Sequence, residues 1–459
     1  MTLHRLDFAV IIAYFAALTM FGILVRRLRG FEDFSVAQRS VPTLMVFASL
    51  CGAYLGPGYS LGFTAKAFSA GFAFLPIWLC FSLQTCLVGL WLAPRLRAYG
   101  DAHTLGGVMM SAYGPIAKWL TGAVSVGLCI GFAGVIARAG GTILANAIGV
   151  TLPVAILLIT GVGVIYAWTG GLKSVIATEG IQFGVVLLSV GCVVAFASQH
   201  ISSYPLLDHA AFTMTATTWK ATSTPEILGL MLLFLMGETL IPPYANRALA
   251  AASEGASRGG FLLAGLFSVI WFTMMATAGV MARSLLGPVA QPDSALIQLA
   301  HLVLPAGLLG LFLVALAAIV MSTQESLLNA ASVCMTRDLF PSEWPEKRQL
   351  LIARIGTLLF AIAATWLGLK APSIIDGLLV CYSIWAPTIL PPLIWALAGF
   401  PTPHLAGTLS IIGGGLTSAS VLIFHLASGN PAIAILAGLS ASLICGVVGA
   451  AFQRIPRSV

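Results

Sequence analysis

The sequence predicts an all-α polytopic membrane protein of about thirteen transmembrane helices, and three observations carry that prediction. Of its 459 residues 59% are apolar and only 8% charged, and the mean hydropathy is +1.00. Apolar runs recur along the whole chain with short polar gaps, each close to the roughly 20 residues that cross a hydrocarbon core about 30 Å thick. Such runs must be helices, because an open sheet edge or loop in lipid leaves backbone N–H and C=O groups unpaired.

The first run, 6–25, opens with Asp7 and is followed by Arg26, Arg27 and Arg29. That is the reverse of a signal peptide's charge order, and no small-residue cleavage site follows, so the run is expected to stay on the protein. The second, 42–70, is interrupted by AYLGPGYSLG at 53–62. Plain runs follow at 72–92, 116–147, 152–169 and 174–197, then a polar outward loop at 199–225. The seventh run, 226–250, is interrupted by GETLIPP at 237–243. Runs at 259–285, 305–335, 351–369, 374–400, 405–427 and 431–452 complete the set, with one inward loop at 338–349.

The odd number puts the termini on opposite faces. Sixteen of the 22 Lys and Arg residues fall on the side away from the N-terminus, so the N-terminus is expected outside and the C-terminus in the cytoplasm of a cell (inner) membrane. The same distribution accounts for the net charge of +7, since the cations sit as short clusters beside spans and nothing resembles a nucleic-acid module. All eight cysteines lie inside spans at irregular spacing, which argues against a disulfide framework and a zinc site.

The two interruptions matter for their positions. Five runs begin with the first and five with the second, and because five is odd the second set enters the membrane inverted. Paired broken helices opening inverted halves point to a secondary transporter with a midplane site at the repeat interface. The expected organisation is a leading helix and loop (1–40), a first five-helix unit (41–198), an external loop (199–225), a second unit (226–400), and two trailing helices with a tail (401–459).

Three segments carry a resemblance to a known family. Tyr166, then Gly170-Gly171-Leu172, then Thr178-Glu179 and Gln182 resemble the signature of the sodium/solute symporter family, which includes sodium/proline, sodium/pantothenate and sodium/glucose transporters. Met321-Ser322-Thr323 followed by Arg337-Asp338-Leu339 is similar to that family's Met-Ser-Thr helix, and Pro242 with Arg247 to its Pro, four residues, Arg element. Glu179 and Glu325 depart from the pattern, where aspartate is usual, and keep the charge. The resemblance implies the five-plus-five inverted fold of the amino-acid transporter LeuT, with one extra leading and two extra trailing helices. It also implies sodium as coupling ion, no organic cofactor, and a small-molecule solute and membrane lipid as partners, with no obligate protein partner.

A hard cation needs several oxygens, and a helix yields carbonyls only where its own bonds are released. Pro57 has no N–H to give, so the carbonyl of Ala53 is expected to lose its partner. The resemblance adds the carbonyls of Gly52, Leu55 and Ile319 and the hydroxyls of Ser322 and Thr323 as sodium ligands. Those hydroxyls have an alternative, bonding back into their own helix. A neutral cage of this kind favours sodium over a proton, although proton coupling stays open.

The solute is expected against the same breaks, where freed N–H groups and positive helix ends suit a carboxylate. Candidate residues are Gly56, Gly58, Tyr59 and Gln84 from the first half and Glu238, Pro242, Tyr244 and Asn246 from the second. Gln84 could instead bond a neighbouring helix. Arg138 lies about 30 Å along its helix from Lys118; facing the cavity, its planar fork would hold a solute carboxylate, and otherwise it snorkels outward or pairs with an acid. Glu238 must be neutralised or paired, by a solute amine or by Lys66 or Arg138. These charges lean towards a carboxylate or zwitterion. A solute sensor on the same scaffold, for which a signalling domain would be expected, is the alternative from another class. An enzyme is not expected, since no nucleophile and base or His and acid cluster stands near a span end.

Overall fold

The computed structural model describes residues 4–25, 30–200, 209–287, 292–341, 343–370, 374–424 and 429–454. Arg26, Arg27, Arg29 and Arg457 of the charge count lie outside them, as do the side chains of 165–170, Tyr166 of the signature included.

Helices α1 (Arg5–Val25) and α2 (Phe31–Val36) lead to α3 (Thr43–Tyr54) and α4 (Phe63–Ala70), which meet across a 66° bend through a π-helical turn at Gly58–Gly62. Then come α5 (Leu75–Leu87) and α6 (Ala93–Ala98), continuous through a second such turn at Val88–Leu92, followed by α7 (Leu105–Tyr113), α8 (Pro115–Ile148) and α9 (Leu152–His200). Past it lie α10 (His209–Ala221), α11 (Thr224–Met236), α12 (Pro242–Ala250), α13 (Glu254–Leu286), α14 (Ala295–Val303) and α15 (Leu308–Cys334). The chain ends with α16 (Glu346–Lys370), α17 (Ile374–Ala398), α18 (His404–Ile423) and α19 (Pro431–Arg454).

Among the described residues nine stretches are long and apolar enough to cross a membrane, ten with the bent α3–α4 pair. The other three expected runs coincide with α1, the first part of α9 and the split pair α11 and α12. Runs 152–169 and 174–197 are one kinked helix, turned at Gly171, whose φ of 61° an L side chain rarely adopts. The outward loop 199–225 is not all loop, because α10 forms within it and Thr215 accepts a hydrogen bond from the Phe72 N–H at 3.0 Å. The inward loop begins later than the sequence indicated: Asp338 is buried in a π-helical turn, Met335–Leu339, and accepts from Thr104 Oγ1 at 2.6 Å.

The two broken helices run antiparallel. Val41, just before α3, donates to the Ala250 carbonyl at 3.1 Å, and Ala252, just after α12, donates to the Val41 carbonyl at 2.8 Å. Farther in, Ser49 of α3 meets Arg247 of α12, and beyond the first break Tyr59 reaches Glu238 through Tyr382. This is the five-plus-five inverted arrangement, its two discontinuities side by side.

Helix α15 is the centre of the molecule, with 83% of its apolar window buried, against 28% for α16. The exposed side of α16 is a stripe of Leu351, Ile355, Leu358, Ile362, Trp366 and Leu369, spaced three or four residues apart as a lipid-facing helix surface requires. The eight cysteines are free thiols, three buried and five partly so.

Asp7 does more than set the charge order of the first run. Its Oδ1 accepts from the N–H groups of Gly307 and Gly310, each at 2.7 Å, at the start of α15, whose N-cap Gly307 has no side chain to do so. The leading helix thus caps the central one, and the anion meets the positive end of its dipole. Asp7→Ala should lower the stability of the purified protein by about 1–2 kcal/mol, measured as a fall in thermal midpoint; an unchanged midpoint would show that water replaces the cap without loss.

Candidate functional site

The first break supplies carbonyls. Helix α3 ends at Tyr54, Pro57 offers no N–H, and the chain resumes in the wider π-helical turn. The freed groups meet α15. Ser322 Oγ donates to the Gly52 carbonyl at 3.1 Å and lies 3.0 Å from the Ile319 carbonyl. Thr323 Oγ1 is 3.2 Å from the Ala53 carbonyl and 2.9 Å from that of Ile319. Both alternatives for these hydroxyls are therefore realised together, one reach across the interface and one back into their own helix. A Cβ at Gly56 would stand 3.2 Å from Thr323 Oγ1, so glycine there lets the two helices close to this distance.

Of the five expected sodium ligands, the oxygens of Gly52, Ile319, Ser322 and Thr323 thus converge, and Ala53 joins them. The Leu55 carbonyl instead accepts from Ser60 Oγ at 2.8 Å. The cluster consists of neutral oxygens, the donor set a hard monovalent cation takes.

Beside it a narrow cavity of about 20 Å³ lies between the two breaks, lined by Gly56, Gly58 and Tyr59 from the first, Glu238, Ile241, Pro243 and Tyr244 from the second, and Thr323 and Ser326 from α15. Tyr54, Phe132, Ile136, Leu327 and Leu378 give it apolar walls. Glu238 is 3% exposed. It accepts from Tyr244 Oη at 2.8 Å and from Tyr382 Oη, and Tyr59 Oη, 2.9 Å from Tyr382 Oη, donates to it because Tyr382 has given its one hydrogen to the carboxylate.

That arrangement corrects two expectations. Glu238 is not paired with Lys66 or Arg138. Both cations are half-buried and off the cavity, Lys66 with its ammonium 5.7 Å from the Phe74 ring centre. They lie near Asp293, whose carboxyl burial pushes above its ordinary value while Lys66 and Arg138 pull it down and Asp376 raises it. Gln84 is likewise off the cavity: its amide donates to Thr239 Oγ1 at 2.9 Å and so supports the second break, whose Thr239 carbonyl also accepts from Trp385 Nε1 at 3.0 Å. Pro243 rather than Pro242 faces the cavity, and Asn246 is buried away from it.

Sequence reasoning missed a buried network just beyond the cavity wall. Arg247 and Glu179, both fully buried, form an ion pair at 2.5 Å. Arg247 also donates to Ser49 Oγ at 2.8 Å, Ser326 Oγ at 2.7 Å and the Pro243 carbonyl at 2.6 Å, while Ser49 and Ser326 donate to Glu179. The network ties α3, α9, α12 and α15 together, one helical turn from Thr323. The signal was available: two opposite charges inside apolar runs, each within a recognised motif. Tyr382 was missed because α17 shows no break, and only folding brings it to Glu238.

Comparisons with known proteins bear on the fold and the family. The model of the sodium:solute symporter family matches residues 34–398. The high-affinity proline transporter PutP of Bacillus subtilis is 25% identical over 426 residues, covering 84% of this chain and 85% of that protein. Sodium/proline symporter 2 of Staphylococcus saprophyticus is 23% identical over 384 residues, with 78% and 75% covered. Among solved structures, the substrate-bound outward-open state of a Na+-coupled sialic acid symporter superposes with a TM-score of 0.83 at 18% identity over 98% of both chains. MhsT in complex with L-phenylalanine gives 0.53 at 16% identity over 89% of this chain and 98% of that one. With its inverted broken helices, its cluster of neutral oxygens and a family match over most of its length, the chain belongs to the sodium:solute symporter family.

Proposed function

We propose that the protein imports a small organic solute by coupling it to sodium entry, with sodium held by the oxygens of Gly52, Ala53, Ile319, Ser322 and Thr323 and the solute held in the cavity beside Glu238. The observation that carries this reading is the meeting of the Ser322 and Thr323 hydroxyls with carbonyls that the first break sets free. Sodium there bridges α3 and α15, and its charge sits at the negative end of the α3 dipole. Thr323 borders both cluster and cavity, so ion and solute share a wall. The Arg247 and Glu179 network lies on the side of the cavity towards 41–43 and 250–254, the end that the basic clusters assign to the cytoplasm.

Alternating access follows from this order. The unit 41–198 and the unit 226–400 hold the site between their broken helices, and with the ion-pair network closed the solute is barred from the cytoplasmic end. Release inwards requires α12 to part from α9 and α15. One charge crossing 100 mV supplies about 2.3 kcal/mol. In a plasma membrane the N-terminus faces out, the C-terminus faces in, and lipid surrounds the exposed stripe of α16.

Reconstitution in proteoliposomes tests the coupling: solutes should accumulate under an inward sodium gradient and not under a potassium gradient. Accumulation driven equally by a proton gradient without sodium would overturn it.

A further inference from the structure

We infer that the solute is a small organic cation, a protonated or quaternary ammonium with an uncharged remainder, and that Glu238 is its counter-charge. This rests on the symporter reading above and names the solute class of the same site.

The first ground is the charge of the lining. Tyrosines aside, Glu238 is the one ionisable residue among the described residues that line the cavity, and no Lys, Arg or His borders it. A carboxylate this deeply buried needs either donors or a cation. The phenols of Tyr244 and Tyr382 satisfy it by hydrogen bonds, which an ammonium can share or displace, whereas a solute carboxylate would meet a like charge.

The second ground lies in the helix ends. A helix N-terminus holds an anion through its free N–H groups, and the start of α12 lacks them. Helix α12 begins with Pro242 and Pro243, which have no N–H, and the next two donors, on Tyr244 and Ala245, turn back to the Ile241 carbonyl at 2.8 and 2.9 Å. Across the first break Pro57 has no donor, and the N–H groups of Tyr59 and Ser60 both point to the Gly56 carbonyl at 3.1 Å. The ends that remain active are the C-termini of α3 and α11, with their outward carbonyls and partial negative charge.

The third ground is aromatic. The rings of Tyr54, Tyr59, Phe132 and Tyr244 border the space, and their negative faces attract a cation, most strongly one that has shed water. Sodium does not reverse this balance. Its cluster already gathers five protein oxygens, from Gly52, Ala53, Ile319, Ser322 and Thr323, so it needs no solute carboxylate to complete its shell.

The test is an unbiased uptake assay. Proteoliposomes holding the full chain are placed in a protein-free small-molecule extract of bacterial cells under an inward sodium gradient, and the solutes that accumulate are identified by mass spectrometry. The expected result is sodium-driven accumulation of ammonium compounds, reduced at least tenfold in Glu238→Gln, while the variant keeps its sodium-dependent rise in thermal midpoint and so is folded with its ion site intact. Sodium-driven accumulation of carboxylates, zwitterions or polyols, or equal accumulation of ammonium compounds by Glu238→Gln, overturns the solute assignment and leaves sodium symport standing. A variant that has lost the sodium-dependent midpoint is replaced by Glu238→Asp, which keeps the charge and should retain preference for the same compounds; a changed preference counts against the assignment. If the wild type accumulates nothing under the gradient, symport fails and the solute class fails with it.

Discussion

Removing both hydroxyls of the ion cluster, Ser322→Ala with Thr323→Ala, should abolish sodium-driven uptake while leaving the chain folded in the membrane. A contact to a charged group is worth about 1.5–3 kcal/mol, so losing two weakens sodium binding by at least about a hundredfold. Folding should change little. Each hydroxyl bridges carbonyls on α3 and α15 in the structure, but the Ile319 bonds are local and the helices remain in contact elsewhere. The measurement is uptake against sodium concentration, together with the rise in thermal midpoint that sodium gives the purified protein. Undiminished sodium dependence in the double variant would remove the cluster from the mechanism.

The second large effect is expected at the buried ion pair. Arg247→Ala leaves the Glu179 carboxylate in a dry interior with only the Ser49 and Ser326 hydroxyls for company, and breaking such a pair costs about 3–5 kcal/mol. Because the pair joins α12 to α9, the same change should speed backbone hydrogen exchange in α12 and let preloaded solute leak without sodium. Replacing both charges, Arg247→Met with Glu179→Leu, should recover most of the stability, since no charge is then stranded and the serines can bond back into their own helices. It should not recover the closed inner end. A single variant with unchanged stability and exchange would mean that the network is incidental to closure.

Both effects combine residues that the chain makes visible with others that it hides. Ser322 and Thr323 were marked by the likeness of Met321-Ser322-Thr323 to a family motif, and Pro57 announced a carbonyl without a partner. The partner's identity was half visible: the Ala53 carbonyl was expected to be free, yet that it would meet Thr323 rather than water depends on how closely α3 crosses α15 at Gly56. The Leu55 carbonyl, expected from the resemblance alone, accepts from Ser60, five residues on, a contact that depends on the turn past the break. Arg138 and Lys66 drew attention as intramembrane cations, but a helix position says nothing about the side of the helix on which a neighbour will sit. The structure gathers them around Asp293, away from the cavity. Glu238 was conspicuous as a costly buried acid, whereas its tyrosine partners come from α12 and α17 and share no local pattern with it.

The sequence by itself determined that this chain is a bundle of membrane helices, inverted in two halves, each opened by a broken helix. Those properties follow from hydropathy, from the parity of span number and from proline and glycine chemistry, all of which act within a few neighbouring residues. Only the tertiary structure decided which released groups face one another: the antiparallel breaks, the three phenols around Glu238 and the ion pair beneath them. Apart from that of Tyr244 with Glu238, six positions away, such pairings join residues tens to hundreds of positions apart, and the physics that selects them, close packing and the cost of any buried group left unpaired, acts only once the helices are in contact.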